Sequence, residues 1–205
     1  MIEAVIFDFG NVIYRFDRKI FLAELAARAG RPPDDLFTKI YDSDIPKMYE
    51  SGEITSDEFY QLVCSAISVR IPKNEFIRVF NSIFEPVPGM NDLLRDLKKR
   101  YRLGLLSNTN ELHFEHTIRR AEVFDLFDSV TLSYRVGEMK PGEKIYRDAL
   151  SKLSLPAARC IYIDDVKKYA DAATAIGMRG IHFTSRPALI GSLREQGIEL
   201  PGLGD

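Results

Sequence analysis

The stretch Ile2-Glu3-Ala4-Val5-Ile6-Phe7-Asp8-Phe9-Gly10-Asn11-Val12 decides how the chain is read. Ala4 to Phe7 is a short apolar run, partly β-branched and too brief for a helical period, which predicts a buried strand. Asp8 ends the run, and Gly10-Asn11 offers a turn. In open α/β sheets, ligands bind beyond the carboxyl ends of the strands, so an acid at that point stands where chemistry is done. The same acid would also serve as a turn cap, and this stretch alone leaves both readings open.

Three later stretches repeat the theme. Leu103 to Leu106 is apolar and ends on Ser107-Asn108. Met139-Lys140-Pro141 places a cation ahead of a predicted helix, and Cys160 to Ile163 is apolar and ends on Asp164-Asp165. Strand then Asp, strand then Ser, Lys-Pro before a helix, strand then Asp-Asp: in that order the four resemble the motif set of the haloacid dehalogenase superfamily. The resemblance runs from Ile2 to Phe183. It implies an α/β fold: a doubly wound, Rossmann-like parallel sheet with an inserted α-helical cap that closes over the active site. Closure of that kind excludes water and sharpens electrostatics.

Size and composition agree with such a chain. Its 205 residues suit one large domain, or a domain plus a small insert, and 45% apolar content suits a globular core. A net charge of −2 gives no reason to expect nucleic acid or an anionic membrane as partner. No apolar run approaches the ~18 residues of a membrane span. The N-terminus has no basic region of the signal-peptide kind. Cys64 and Cys160 lie in different segments without CxxC or metal spacing, and are expected as two buried thiols in a reducing cytoplasm. A monomer or homodimer is expected.

Residues 15–88 read as four or five helices with no convincing strand. Asp17 is a good N-cap for a helix over 18–29 that Gly30 closes. Helices follow near 34–42 and 45–49. Thr55 and Glu58 form a capping box for a helix to about 69, and another helix covers 74–84. After Pro88 the pattern alternates: helices at 90–100, 109–121, 142–153 and 167–176, strands at 102–107, 130–133, 160–163 and 180–183. Such alternation implies parallel strands with right-handed crossovers. The expected division is an α/β core from residues 1–14 and 89–205 and a helical cap from 15–88.

By the resemblance, Asp8 is a nucleophile that forms an aspartyl-phosphate, which water then hydrolyses. Ser107 and the backbone at Asn108 hold phosphate oxygens, and Lys140 neutralises charge on the phosphate and on Asp8. Asp165 binds Mg²⁺ together with Asp8 and the Gly10 carbonyl, and Asp164 is a second ligand or an outer-shell acceptor. Asp8, Asp164, Asp165 and a phosphate dianion bring together about five negative charges against one lysine. Each pair at ~4 Å costs roughly 4 kcal/mol at an effective dielectric of ~20, so a divalent cation is called for. Without the other motifs, Asp164-Asp165 would read as a helix N-cap.

The sequence departs from the family at two points. Most phosphatases of the superfamily carry a second Asp two residues after the nucleophile, to protonate the departing alkoxide; here that residue is Gly10. Such acid help is worth typically 10²–10⁴ in rate. Another side chain replaces it, or the leaving group needs less help, or the enzyme is weak. The Asp-x-Gly-Asn-Val segment resembles a bacterial branch that includes sugar 1-phosphate phosphatases, and an anomeric hydroxyl is a comparatively acidic leaving group. Secondly, Tyr169 stands where family members often carry Asn, and is read as a helix-face aromatic.

Tyr14, Arg15, Tyr41, Asp42 and Lys47 are the candidates for substrate specificity, from their places in or near cap loops. His113 and His116 read as surface residues. The leading function is a Mg²⁺-dependent phosphatase of a small phosphorylated metabolite, extending to a sugar 1-phosphate. The alternatives are a metal-independent 2-haloacid dehalogenase, whose substrate has less need of an acid pair, and a catalytically silent interaction protein on the same fold.

Overall fold

A computed structural model describes residues 1–200 and 202. In chain order, strand β1 (Ala4–Phe7) leads into a short strand β2 (Tyr14–Phe16). Helices α1 (Arg18–Ala29), α2 (Pro33–Tyr41), α3 (Ile45–Glu50), α4 (Ser56–Ile67) and α5 (Lys73–Asn81) follow. Strand β3 (Phe84–Pro86) returns the chain to α6 (Met90–Lys98), β4 (Arg102–Ser107) and α7 (Glu111–His116). Then come β5 (Ser129–Leu132), α8 (Ser133–Val136), α9 (Glu143–Leu153) and β6 (Cys160–Asp164). Helix α10 (Lys167–Ala175), β7 (Arg179–His182) and α11 (Arg186–Glu195) complete the chain.

β1, β4, β5, β6 and β7 form a parallel five-stranded sheet in the order β5-β4-β1-β6-β7. The chain builds outward from β1 through β4 to β5, then crosses to the other side of β1 for β6 and β7. The order therefore reverses at β1, which makes its carboxyl end the expected binding crevice. Side chains alternate across the sheet as the two-residue period requires. Val5, Phe7, Leu105 and Ile163 pack against Met90, Leu93 and Leu189 of α6 and α11. Ala4, Ile6 and Tyr162 pack against Ile145, Tyr146 and Ala173 of α9 and α10. Both faces are covered, which explains why the strand stretches are continuously apolar.

The helices α1–α5 bury a separate apolar cluster, including Phe21, Leu25, Leu36, Phe59, Phe76 and Phe80. The Asp17 cap accepts a hydrogen bond from the Lys19 N–H, and Thr55 and Glu58 close a reciprocal capping box. β2 and β3 pair antiparallel, Tyr14 with Pro86 and Phe16 with Phe84. This corrects the strandless reading of 15–88. Each strand is three residues long, too short for a period, and its partner lies about seventy residues away in sequence.

Other differences are local. The helix expected over 109–121 stops at His116, and a 3₁₀ turn at Ile118–Arg120 follows Thr117, whose φ is −128°. The helix expected to reach 84 ends at Asn81, where β3 takes over. Cys160 is buried but Cys64 is only partly covered, because Phe59, Val63 and Ile67 supply the buried face of α4. Among the described residues, no helix is long and apolar enough to cross a membrane.

Candidate active site

Strand register assembles the centre. Phe7 pairs with Ile163, and the Asp8 N–H donates to the Ile163 carbonyl at 2.9 Å, so Asp8 and Asp164 leave neighbouring strands at one level. Lys140 reaches between them. Its Nζ lies 3.0 Å from Asp8 Oδ1 and 2.7 Å from Asp164 Oδ2, and it donates to the Tyr162 hydroxyl at 3.0 Å. The Tyr162 hydroxyl in turn donates to Asp164. The Lys140 backbone is clasped by Asn108: its N–H donates to Asn108 Oδ1 at 2.8 Å, and its carbonyl accepts from Nδ2 at 3.3 Å. Ser107, the last residue of β4, is buried beside this clasp.

Lys140, Asp8 and Asp164 are all buried. Unit charges ~3 Å apart attract by roughly 5 kcal/mol at an effective dielectric of ~20, against several kcal/mol of desolvation for each ion. Burial pushes the Asp8 carboxyl up to about 7, Lys140 pulling it down and Asp164 pushing it further up. Burial opposes the Lys140 charge, but the two carboxylates outweigh it and hold its pKa above the ordinary lysine value. One cation thus serves two anions, and the cluster is short of positive charge.

Asp165 follows the strand and is half-buried. Burial raises its pKa, and the hydrogen bond from Asn11 works in the opposite direction. Asn11 Nδ2 donates to Asp165 Oδ2 at 3.1 Å, from a residue whose own φ is 54°. Asn is among the few non-glycine residues that adopt this left-handed conformation readily. Carboxylate oxygens of Asp8, Asp164 and Asp165 lie within 4.8 Å of one another, an all-oxygen donor set of the kind hard divalent cations take. Asp164 is already engaged, by Lys140 and Tyr162 on Oδ2 and by the Val166 N–H on Oδ1 at 2.8 Å. That leaves Asp8 and Asp165 as the carboxylates with most freedom to hold a cation, with Asp164 orienting the lysine.

The group opens on a cavity of about 230 Å³ between the sheet end and the helices of 18–81. Asp8, Gly10, Ser107, Asn108, Lys140 and Asp165 all line it. Of the five specificity candidates, Tyr41 lines it too, under the Arg18 guanidinium at 5.0 Å from the ring. Tyr14 instead stacks on Phe9 at 4.8 Å, Arg15 borders a different surface depression, and Asp42 and Lys47 are exposed outside the cavity wall. The walls on the helical side are largely aromatic, with Phe16, Phe80 and Phe84 among them.

Several lining residues were not expected at the site from the sequence. Tyr169, read as a helix-face aromatic, lines the cavity with its ring centroid 5.2 Å from Lys140 Nζ, a cation–π distance. His113, read as a surface residue, stacks on Phe80 at 4.1 Å, and its Nδ1 lies 3.1 Å from Asn81 Oδ1. Burial, helped by Arg18, pushes its pKa down to about 3. Glu50 also lines the cavity, from the last residue of α3. The one available signal was Asn11, a left-handed Asn in the turn after Asp8. Tyr162 and Glu50 look from sequence like an ordinary strand residue and an ordinary surface acid.

Hydrogen bonds to α7 seat the helices of 18–81 on the sheet side, the Asn81–His113 pair among them. The Tyr49 hydroxyl accepts from the Leu112 N–H at 3.1 Å, and Ser56 donates to Glu111. Gly52, at φ 77°, approaches so closely that a Cβ there would stand 2.2 Å from the Tyr134 carbonyl oxygen.

Comparison with known proteins identifies the family. A family model described as haloacid dehalogenase-like hydrolase matches residues 2–177, and the chain belongs to that family. A sesquiterpene phosphatase of Aspergillus oryzae is 28% identical over 94% of this chain and 95% of its own length. A D-ribitol-5-phosphate phosphatase of Bacteroides thetaiotaomicron is 25% identical over 80% of this chain and 84% of its own. A HAD family enzyme of the same bacterium, solved with magnesium and inorganic phosphate, superposes with a TM-score of 0.80 at 22% identity, covering 91% of this chain and 96% of the other. The chain is a hydrolase of the phosphatase kind.

Proposed function

We propose that the protein hydrolyses a small phosphate monoester in a Mg²⁺-dependent reaction, through an aspartyl-phosphate on Asp8. The observation that carries this is Lys140 bridging Asp8 and Asp164, with Asp165 alongside, at the mouth of one cavity. Asp8 attacks phosphorus, Lys140 and the Ser107–Asn108 turn hold phosphate oxygens, and water then releases phosphate from Asp8. Asp8, Asp165 and the Gly10 carbonyl would hold Mg²⁺, which would offset the excess negative charge of phosphate and carboxylates. Asp164 acts on the lysine from outside that set.

The substrate we favour is a phosphorylated carbohydrate, with a sugar 1-phosphate as the specific case. The aromatic rings on the cavity wall suit the C–H face of a sugar ring, and a relative bears the name of a ribitol 5-phosphate phosphatase. The same rings and the sesquiterpene phosphatase relative favour a second reading, an isoprenoid phosphate. A panel of glucose 1-phosphate, ribitol 5-phosphate, farnesyl phosphate and glycerol 3-phosphate separates them. Turnover is expected to vanish in EDTA, return with Mg²⁺, and fall by more than about 10³-fold in Asp8→Asn. Activity untouched by Asp8→Asn overturns the mechanism, and EDTA-resistant release of chloride from 2-chloropropionate identifies a dehalogenase instead.

A further inference from the structure

We infer that Glu50, carried by the helical insert, is the general acid that protonates the leaving oxygen. The inference rests on the phosphatase reading above and adds the proton donor that reading lacks.

Position 10 offers no acid. Gly10 has no side chain, and a Cβ there would stand 2.9 Å from the Phe16 ring, so the space beside the nucleophile is already taken. The carboxyl groups lining the cavity are those of Asp8, Asp165 and Glu50. Asp8 is the nucleophile and Asp165 is tied to the cation site, which leaves Glu50.

Tyr41 and Tyr169 also line the cavity, but burial raises the pKa of both phenols above an already high ordinary value, which makes them poorer acids than a carboxyl. Two further proton carriers are held elsewhere. Tyr49 accepts from the Leu112 N–H and pairs with Ser56 Oγ at 2.7 Å. His113 is held by Asn81 through Nδ1 and is neutral at working pH. The Glu50 carboxyl, by contrast, takes part in no hydrogen bond or ion pair among the described residues.

Its setting favours the protonated form. Glu50 is the last residue of α3, where the helix dipole is negative and disfavours an anion. Burial raises its pKa, with Arg18 and Lys140 pulling the other way. A carboxyl pKa displaced upward favours the protonated form that acid catalysis requires.

The step balances. As the Asp8 oxygen bonds to phosphorus, the phosphorus–oxygen bond to the leaving group breaks, and its electron pair stays on that oxygen. Glu50 gives its proton to the same oxygen, releasing the alcohol and leaving a carboxylate. In the second step water bonds to phosphorus, its proton passes to Glu50, and the Asp8–phosphorus bond breaks.

The test is leaving-group dependence, read as kcat/KM on glycerol 3-phosphate, p-nitrophenyl phosphate and acetyl phosphate in Mg²⁺. Glu50→Gln is expected to lose about 10²–10⁴-fold on the alkyl ester, which needs the proton, and to stay near wild type on the two with good leaving groups. Glu50→Asp is expected to recover part of the alkyl activity. Retained kcat/KM on p-nitrophenyl phosphate, which does not include release of phosphate from Asp8, shows that each variant is folded. Equal loss on all three substrates, or no loss on any, overturns the assignment while leaving the phosphatase reading intact. The Asp8→Asn control reports on that reading separately.

Discussion

Asn11 holds Asp165 through one hydrogen bond from a left-handed backbone. Replacing it with Gly keeps that backbone and deletes the bond. Asn11→Gly is expected to weaken Mg²⁺ binding 10–100-fold, the usual cost of losing a partner of a metal-binding carboxylate, roughly. Calorimetric titration with Mg²⁺ reads this, and unchanged affinity would show that Asp165 is oriented without Asn11. At this scale the sequence exposes residues that end strands: Asp8, Ser107 and Asp165 each follow an apolar run whose direction is already known. It hides residues whose role depends on a distant neighbour. Tyr162 is one more apolar strand position until its hydroxyl is seen to join Lys140 and Asp164. Tyr41, alone of the five specificity candidates, lines the cavity, under the Arg18 guanidinium, whereas Tyr14 packs on Phe9 and Arg15, Asp42 and Lys47 lie outside the cavity wall.

Among elements, the junction between α3 and α4 packs closely against the Tyr134 backbone. Gly52 has a positive φ and no room for a methyl group. Gly52→Ala is expected to cost more than about 1 kcal/mol through backbone conformation alone, with the clash against Tyr134 in addition. Thermal melting compared with Gly30→Ala tests it. Gly30 also has a positive φ, but a Cβ there meets nothing within 4 Å. The larger loss belongs at Gly52, and equal losses would mean that the Tyr134 contact yields freely. Helices with caps were legible to within a residue or two, as with Asp17 and the Thr55–Glu58 box. The β2–β3 ribbon was not, since its three-residue strands are defined only by pairing across the whole insert.

For the molecule as a whole, His113 links stability to pH. Its folded value of about 3 lies below the ordinary 6.5, so between these limits the unfolded chain binds more protons. The stabilisation is present above pH 6.5 and is lost as pH falls toward 3, at up to about 1.4 kcal/mol per pH unit. Urea unfolding across that range should show the slope in the wild type and a smaller one in His113→Phe, which keeps the stack on Phe80. Identical slopes would place the titration elsewhere. Alternating strands and helices made a parallel sheet legible, but not the left-right order about β1, which depends on which crossover packs on which face.

The β2–β3 ribbon carries both covalent passages between the sheet and the helices of the insert, side by side and hydrogen-bonded. The insert is thus a jaw on a single pin. Its other bonds to the sheet side noted above, Tyr49 to Leu112, Ser56 to Glu111 and Asn81 to His113, are noncovalent. Any rotation about that pin would carry Glu50, which rides on α3, relative to Asp8, which the parallel sheet holds.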